Sequence, residues 1–352
     1  MIVHMSNIEG LGAVRLVESL LPELLSAGPE ITEIVTPDHP AFLTAAENAG
    51  VRTRIVRRRL PKSVSRAAEI VFPGFLATGS QPVLVLGDMP LRGVRRQIVF
   101  VQNPHLVAAS GTAPSSESMK LRAMRALFRA TCRSVDRFIV QTEVMKTALA
   151  SRFGIAPDRI RVIPQPAPAW IPPRPASSVS AAPTGGLRLL YPARAYPHKN
   201  HRLLSAPQAA ALDDVIDRLV LTVPAAMNPN PRRSWIECVG ELEPPAMMDR
   251  YEACDALLFL SLSESYGLPL VEAMLLRKRI VCADLPYARS LCGDGAIYFD
   301  PTSFASLDAA IRRLAAVRVS GPPVDWTDRL ALLPGTWSEV ATRFLDVCRR
   351  AG

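Results

Sequence analysis

Ser263-Glu264-Ser265-Tyr266-Gly267-Leu268-Pro269-Leu270-Val271-Glu272-Ala273-Met274 is the stretch on which the reading of this chain turns. Two carboxylates stand eight positions apart, with a glycine, a proline and an apolar run between them. The preceding run, Asp255-Ala256-Leu257-Leu258-Phe259-Leu260, has the continuous apolar character of a strand buried on both faces of a parallel sheet. Pro269 suits the first position of a helix, where a missing N–H costs nothing. The unit therefore reads as strand, tight loop and helix, with Glu264 in the loop and Glu272 in the first helical turn. The amides around Gly267 and Leu268, backed by the helix N-terminus, form an anion site. Both glutamates would face a ligand whose phosphates rest there.

The same alternation extends outward. Leu187–Tyr191, Leu219–Val223 and Ile280–Ala283 read as further strands, so residues 187–336 form one α/β domain. Upstream, Pro164 to Gly186 is rich in Pro, Ala and Ser and reads as a linker, centred on 167–186. Residues 1–166 repeat the α/β pattern. Ile2–Met5, Val83–Leu86, Ile98–Val101 and Phe138–Val140 are strand candidates; Val14–Leu25, Met119–Cys132 and Val144–Phe153 are helix candidates. Thr336-Trp337-Ser338-Glu339 has capping-box spacing and opens a last helix, 337–352.

The glutamate unit resembles the Glu-x7-Glu signature of retaining glycosyltransferases of family 4, which have the GT-B fold. That resemblance covers Arg188 to about Leu314, with weaker matches in the first half. It implies an α/β protein of two Rossmann-like domains facing a cleft, with the last helix crossing back onto the first domain. It also implies a nucleoside-diphosphate sugar as co-substrate, held mainly by the second domain.

Carried over residue by residue, the resemblance assigns roles. Tyr191-Pro-Ala-Arg194-Ala-Tyr-Pro-His-Lys199-Asn200 follows a strand and supplies the Arg and Lys that meet the donor diphosphate. An Arg fork and a mobile Lys charge suit a leaving group whose negative charge grows as the glycosidic bond breaks. Glu264 would touch donor-sugar hydroxyls and Glu272 the ribose hydroxyls; a carboxylate can accept two hydroxyl hydrogen bonds at once. Ser265, Gly267, Leu268 and Pro269 complete the phosphate loop. Gly240, in Val239-Gly-Glu-Leu242, lies near the base. His105, after the strand Ile98–Val101, would contact the donor sugar, and Ala108 to Ser118 reads as an acceptor loop. Gly10 and Gly12 would let backbone approach closely after the first strand, although the adjacent glycines common in the family are missing. A second departure is Val223-Pro224, where the family commonly has glycine. There is no Asp-x-Asp motif; Asp213, Asp214 and Asp217 read as the solvated face of a helix, and no metal is expected.

Composition narrows the class. Of 352 residues, 49% are hydrophobic and 21% charged, ordinary for a globular protein. No run approaches a membrane span, and Met1–Met5 reads as a strand rather than the start of a signal peptide. None of the six cysteines forms a C-x-x-C pair, so buried free thiols in a reducing cytoplasm are expected. The net charge is +9, and residues 1–170 carry nearly all of the surplus, with 21 Lys/Arg against 13 Asp/Glu. Phosphates or an anionic membrane surface fit that surplus; no nucleic-acid motif accompanies it. Leu121, Met124 and Phe128 with Arg122, Arg125, Arg129 and Arg133 form an apolar and a basic stripe on one helix. Arg57, Arg58, Arg59 and Lys62 add a second basic cluster.

The expected function is a cytoplasmic, metal-independent, retaining hexosyl transfer to a hydroxyl of a bacterial lipid-linked or cell-surface glycan. A GDP-linked mannosyl or related 6-deoxyhexosyl donor is preferred, from the similarity of Pro197-His-Lys-Asn-His201 to mannosyltransferase loops. Peripheral contact with anionic membrane accompanies it. The alternatives are a non-catalytic sugar-nucleotide-binding module and another GT-B chemistry such as a nucleotide-sugar epimerase. A hydrolase using both glutamates would need them to flank one anomeric carbon, and the phosphate loop between them argues against that.

Overall fold

The computed structural model describes residues 1–8, 10–57, 81–108, 119–171, 185–320 and 324–350. They divide into two compact units, Met1–Pro166 with Pro334–Gly352, and Ala167–Leu333. Each is an α/β layer structure around a parallel sheet.

In the first unit seven strands lie in the order β3-β2-β1-β4-β5-β6-β7. They are β1 (Ile2–His4), β2 (Glu33–Thr36), β3 (Arg52–Ile55), β4 (Val83–Val85), β5 (Gln97–Phe100), β6 (Arg137–Val140) and β7 (Ile160–Val162), and every pairing is parallel. In the second, six parallel strands run β10-β9-β8-β11-β12-β13. These are β8 (Leu187–Tyr191), β9 (Ile216–Leu221), β10 (Ile236–Cys238), β11 (Ala256–Phe259), β12 (Arg279–Ala283) and β13 (Ile297–Phe299). The central strands are the ones whose sequences are unbroken apolar runs, because helices cover both of their faces. The edge strand β3, Arg-Thr-Arg-Ile, is mostly exposed and its arginines guard an open edge.

Strand order reverses between β1 and β4 in one sheet and between β8 and β11 in the other. Crevices beyond the carboxyl ends of strands at such reversals are where open α/β sheets bind ligands. The loops after β8 and β11 carry Arg194, Lys199 and Glu264, so the second unit's candidates sit at its reversal point.

The last helix, Trp337–Arg350, belongs to the first unit. Val340, Phe344 and Leu345 are fully buried against Leu16, Leu20 and Leu24 of the helix Leu11–Ala27. Phe344 meets Phe100 of β5 edge-on at 5.1 Å. A Cβ at Gly28 would stand 2.9 Å from Leu345 Cδ2 and 2.8 Å from the Leu24 carbonyl, so only glycine fits between them. Thr336 accepts a hydrogen bond from the Glu339 amide, and the Glu339 carboxylate reaches back to the Gly335 amide. The second unit starts before the expected linker ends: Ile171 is buried in its core, with Ala167 and Trp170 packed against it.

Two expectations need correction. Asp213, Asp214 and Asp217 do not share a helix. A 3-10 turn ends at Leu212, Asp213 and Asp214 follow it, and Asp217 lies on β9. Asp213 pairs with Arg233 and accepts from the Trp235 indole, and Asp214 pairs with Arg312. The basic stripe on the helix Met119–Thr131 is also interrupted, since Arg125 turns inward and is buried while Arg122, Arg129 and Arg133 stay exposed. Arg57 is exposed; Arg58, Arg59 and Lys62, and the expected acceptor loop beyond Ala108, lie outside the described residues. Five of the six free cysteines are buried and Cys238 is half-buried. Among the described residues no helix is long and apolar enough to cross a membrane.

Candidate active site

Two loops of the second unit are stitched together by backbone and side-chain bonds. Pro197–Lys199 forms one 3-10 turn, and the Lys199 carbonyl accepts from the buried Tyr191 hydroxyl at 2.7 Å. Asn200 follows in the left-handed region, φ 57°, and its amide donates to the Pro301 carbonyl. From the other loop the Leu262 N–H donates to the His198 carbonyl at 2.7 Å. Tyr287 in turn donates to the Ser261 carbonyl at 2.6 Å. This scaffold brings Lys199 and Glu264 together across 65 residues of chain, with Nζ 2.5 Å from Oε1. Their side chains are only 16% and 15% exposed, and the ammonium lies 5.8 Å from the Phe259 ring centre. Water screens such a pair poorly, so each charge stabilises the other.

His201 lies beside them, its ring 5.1 Å from that of Tyr191. Burial, then the charge of Lys199, pushes its pKa down to about 4, which keeps the imidazole neutral at physiological pH. Arg194 is held separately: its guanidinium donates to Glu241 at 2.8 Å, and that bond raises its pKa. Glu241 follows Gly240, whose φ of 76° is in the region open to glycine and whose amide donates to the Val223 carbonyl. The stretch expected near the base thus also supplies the arginine's partner.

Gly267 caps the helix Leu268–Leu275 with φ 97°, and a Cβ there would press to 3.1 Å from Leu270 Cδ1. Leu268 is the first helical residue and Pro269 the second, one position later than expected. Glu272 accordingly lies in the second turn rather than the first, and it is buried. Its Oε2 accepts from the Tyr251 hydroxyl at 2.7 Å. Burial pushes its pKa up to about 7, against the pull of the Tyr251 hydrogen bond. Tyr251 sits in the helix Pro244–Ala253; nothing local in the sequence marks it as a partner of Glu272.

In the first unit, Gly10 caps the helix Leu11–Ala27 with φ 94°, and Gly12 lies in its first turn. No atom would stand within 4 Å of a Cβ at either, so the backbone is open to approach there. His105 is half-buried in the short helix Pro104–Val107, capped by Asn103, whose side chain accepts from the His105 amide. Asp88 fixes the start of this turn by accepting from the amides of Gln102 and Asn103. The buried Arg125 guanidinium fixes its end, donating to the carbonyls of His105, Leu106 and Ala108. Arg125 therefore braces the His105 turn instead of extending a surface stripe. Among the described residues no three His, Cys, Asp or Glu side chains gather as a metal site.

Residues 11–168 match the family described as Glycosyltransferase Family 4, and residues 235–318 match Glycosyl transferases group 1. No curated protein matches the sequence. Among solved structures, a glycosyltransferase from Rickettsia africae is similar with a TM-score of 0.66 at 11% identity, covering 99% of this chain and 98% of that one. WaaG, a glycosyltransferase involved in lipopolysaccharide biosynthesis, has a TM-score of 0.64 at 15% identity and covers 100% and 98%. HepE of Anabaena, solved with UDP and glucose, has a TM-score of 0.62 at 15% identity and covers 99% and 97%. Two family matches, one in each unit, and GT-B neighbours spanning nearly the whole chain lead to one assignment: this protein belongs to glycosyltransferase family 4 and is a glycosyltransferase of the GT-B fold.

Proposed function

We propose that the protein moves a hexosyl group from a nucleoside-diphosphate sugar to a hydroxyl of a lipid-linked or cell-surface glycan, with retention and without a metal ion. The observation that carries this reading is the Lys199–Glu264 pair at the strand reversal, with Glu264 three residues before the helix cap Gly267. In it, Lys199, Arg194 and the amides around Gly267 and Leu268 receive the diphosphate, with Ser265 and Pro269 shaping the loop. Glu264 binds donor-sugar hydroxyls, Glu272 the ribose, and Gly240 borders the base. On the first unit, His105 serves the donor sugar and the Gly10–Gly12 turn admits it.

The bond from the anomeric carbon to the phosphate oxygen breaks as the acceptor oxygen attacks from the same face. The acceptor proton passes to the departing phosphate oxygen, and the diphosphate's charge is met by Lys199, Arg194 and the helix N-terminus. Those fixed positive groups supply the charge that a divalent ion supplies elsewhere. Donor class is supported by HepE, solved with UDP and glucose, and acceptor class by WaaG, involved in lipopolysaccharide biosynthesis. For the donor we favour GDP-mannose or a related 6-deoxyhexose. The basic surplus of residues 1–170 supports a cytoplasmic protein in peripheral contact with anionic membrane.

Thermal shifts with GDP-mannose, UDP-glucose and ADP-glucose, followed by assay of released nucleotide, test the donor. Stabilisation and turnover with UDP-glucose alone would replace the GDP donor. Stabilisation with no turnover in the presence of lipid-linked acceptors would favour a binding module. Product NMR showing an inverted anomeric centre, or activity lost in EDTA and restored by magnesium, would refute retention or metal independence.

A further inference from the structure

We infer that Tyr251 is a positioning residue of the donor site, orienting the Glu272 carboxylate so that one oxygen faces the paired hydroxyls of the nucleoside. The inference rests on the reading of Glu272 as the acceptor of those hydroxyls. Both side chains are buried, Tyr251 fully and Glu272 to 8% exposure, and their hydrogen bond is 2.7 Å. Only Oε2 is engaged; among the described residues nothing donates to Oε1, which is not sealed from solvent. A carboxylate with one oxygen tethered and the other open can still accept from two vicinal hydroxyls. Without the tether it would be free to rotate about its terminal bond, which has no steep staggered wells.

The phenol also acts on the charge. It is a donor, so its bond favours the ionised carboxylate and opposes the burial that pushes the Glu272 pKa to about 7. The titratable groups on the surrounding elements are engaged elsewhere. Asp255, before β11, pairs with Arg188 and Arg318. Arg289, on the helix Pro286–Cys292, pairs with Asp284. Cys282 and Cys292 contact each other. Arg329 donates to the Leu291 carbonyl and Lys278 to that of Cys254. Arg250, on the helix of Tyr251, pairs with Glu237. Arg279 lies at the N-terminal end of β12, and Asp249, Glu252 and Asp328 are exposed. The Cys254 thiol donates to the Tyr251 carbonyl. Among the described residues, Tyr251 is therefore the side chain that sets both the direction and the charge of this carboxylate.

The test is calorimetric binding of UDP, GDP and ADP from pH 5.5 to 9, continued with whichever binds the wild type most tightly and with its 2′,3′-dideoxy analogue. Wild-type affinity for the diol nucleotide should strengthen as pH rises through about 7. Tyr251→Phe removes one oxygen and keeps the ring buried. It should weaken binding about tenfold at pH 7 and move the pH midpoint upward by about a unit. The dideoxy nucleotide should bind wild type and Tyr251→Phe equally. A Tyr251→Phe profile identical to wild type, while Glu272→Gln weakens diol binding, would overturn the role of Tyr251 and spare that of Glu272. Diol binding by Glu272→Gln equal to wild type would overturn both. A weakening by Tyr251→Phe that persists with the dideoxy nucleotide would show a general packing effect and overturn the inference.

Discussion

The loop Ser261–Gly267 and the helix Leu268–Leu275 each carry one glutamate of the same motif, and their surroundings differ. Glu264 meets an ammonium, Lys199, at 2.5 Å in a partly exposed pocket. Glu272 meets a phenol, Tyr251, in a more deeply buried one. An opposite charge stabilises a carboxylate in place, whereas a neutral donor only partly offsets its loss of water. One glutamate is thus locked as half of an ion pair, and the other is held near its own midpoint, with pKa about 7. On the proposed function, identical residues eight positions apart do different work: Glu264, held by Lys199, binds donor-sugar hydroxyls, and Glu272, held by Tyr251, binds the ribose hydroxyls.

The comparison breaks most visibly in turnover. On the proposed function, replacing Lys199 by Ala removes the positive charge that meets the leaving diphosphate, and it leaves Glu264 without its partner. We expect kcat/KM to fall by about 100-fold. Glu264→Gln should also lose activity, and the double variant should lose less than the product of the two, because paired residues are not additive. Full additivity in that steady-state cycle would separate the pair functionally.

Stability should move in opposite directions at the two glutamates. Glu272 has its folded pKa raised from 4.5 to about 7. Between those values the folded state holds a proton that the unfolded state has lost, so stability falls as pH rises through this window. Glu272→Gln should therefore stabilise the protein at pH 8, by on the order of 3 kcal/mol, and the gain should vanish near pH 4. Glu264→Gln at pH 8 should destabilise it by about 1 kcal/mol, since Lys199 loses its counter-charge. Denaturant titrations at the two pH values give both signs; a shared sign would end the contrast.

Smaller effects extend the comparison to the first unit. Arg125→Lys keeps the charge but loses the planar fork that serves three carbonyls. A loss of about 1–2 kcal/mol in denaturant stability is expected. Arg122 and Arg133 stay exposed, so Arg122→Glu and Arg133→Glu should leave stability nearly unchanged. Each should weaken sedimentation with anionic liposomes by roughly 1 kcal/mol at low salt. Equal sedimentation with neutral and anionic vesicles would leave Arg122 and Arg133 as plain solvated residues.

Burial patterning made much of the fold legible. Central strands such as β4, β6, β8, β11 and β12 are covered on both faces, and parallel strands so covered must be apolar throughout. Strands β2, β3, β7, β10 and β13 escaped the reading: β3 alternates arginine with Thr and Ile because one side of it meets water, and a charged residue interrupts or opens β2 (Glu-Ile-Val-Thr), β7 (Ile-Arg-Val) and β10 (Ile-Glu-Cys). The motif residues Arg194, Lys199, Gly267, Glu264 and Glu272 were legible because loops at strand ends carry their chemistry within a few positions.

What each of these side chains touches was not local. Lys199 and Glu264 are 65 residues apart, Arg194 and Glu241 are 47, and Tyr251 and Glu272 are 21. Arg125 looks like one more member of a surface stripe until the carbonyls of His105, Leu106 and Ala108 are seen around it. The sequence by itself determined the alternating α/β units, the strand-loop-helix that carries the two glutamates, and the supply of positive charge. Only the tertiary structure decided which charge is neutralised, which carboxylate is buried and which arginine faces inward. Desolvation and partner geometry depend on atoms that the chain brings together only on folding.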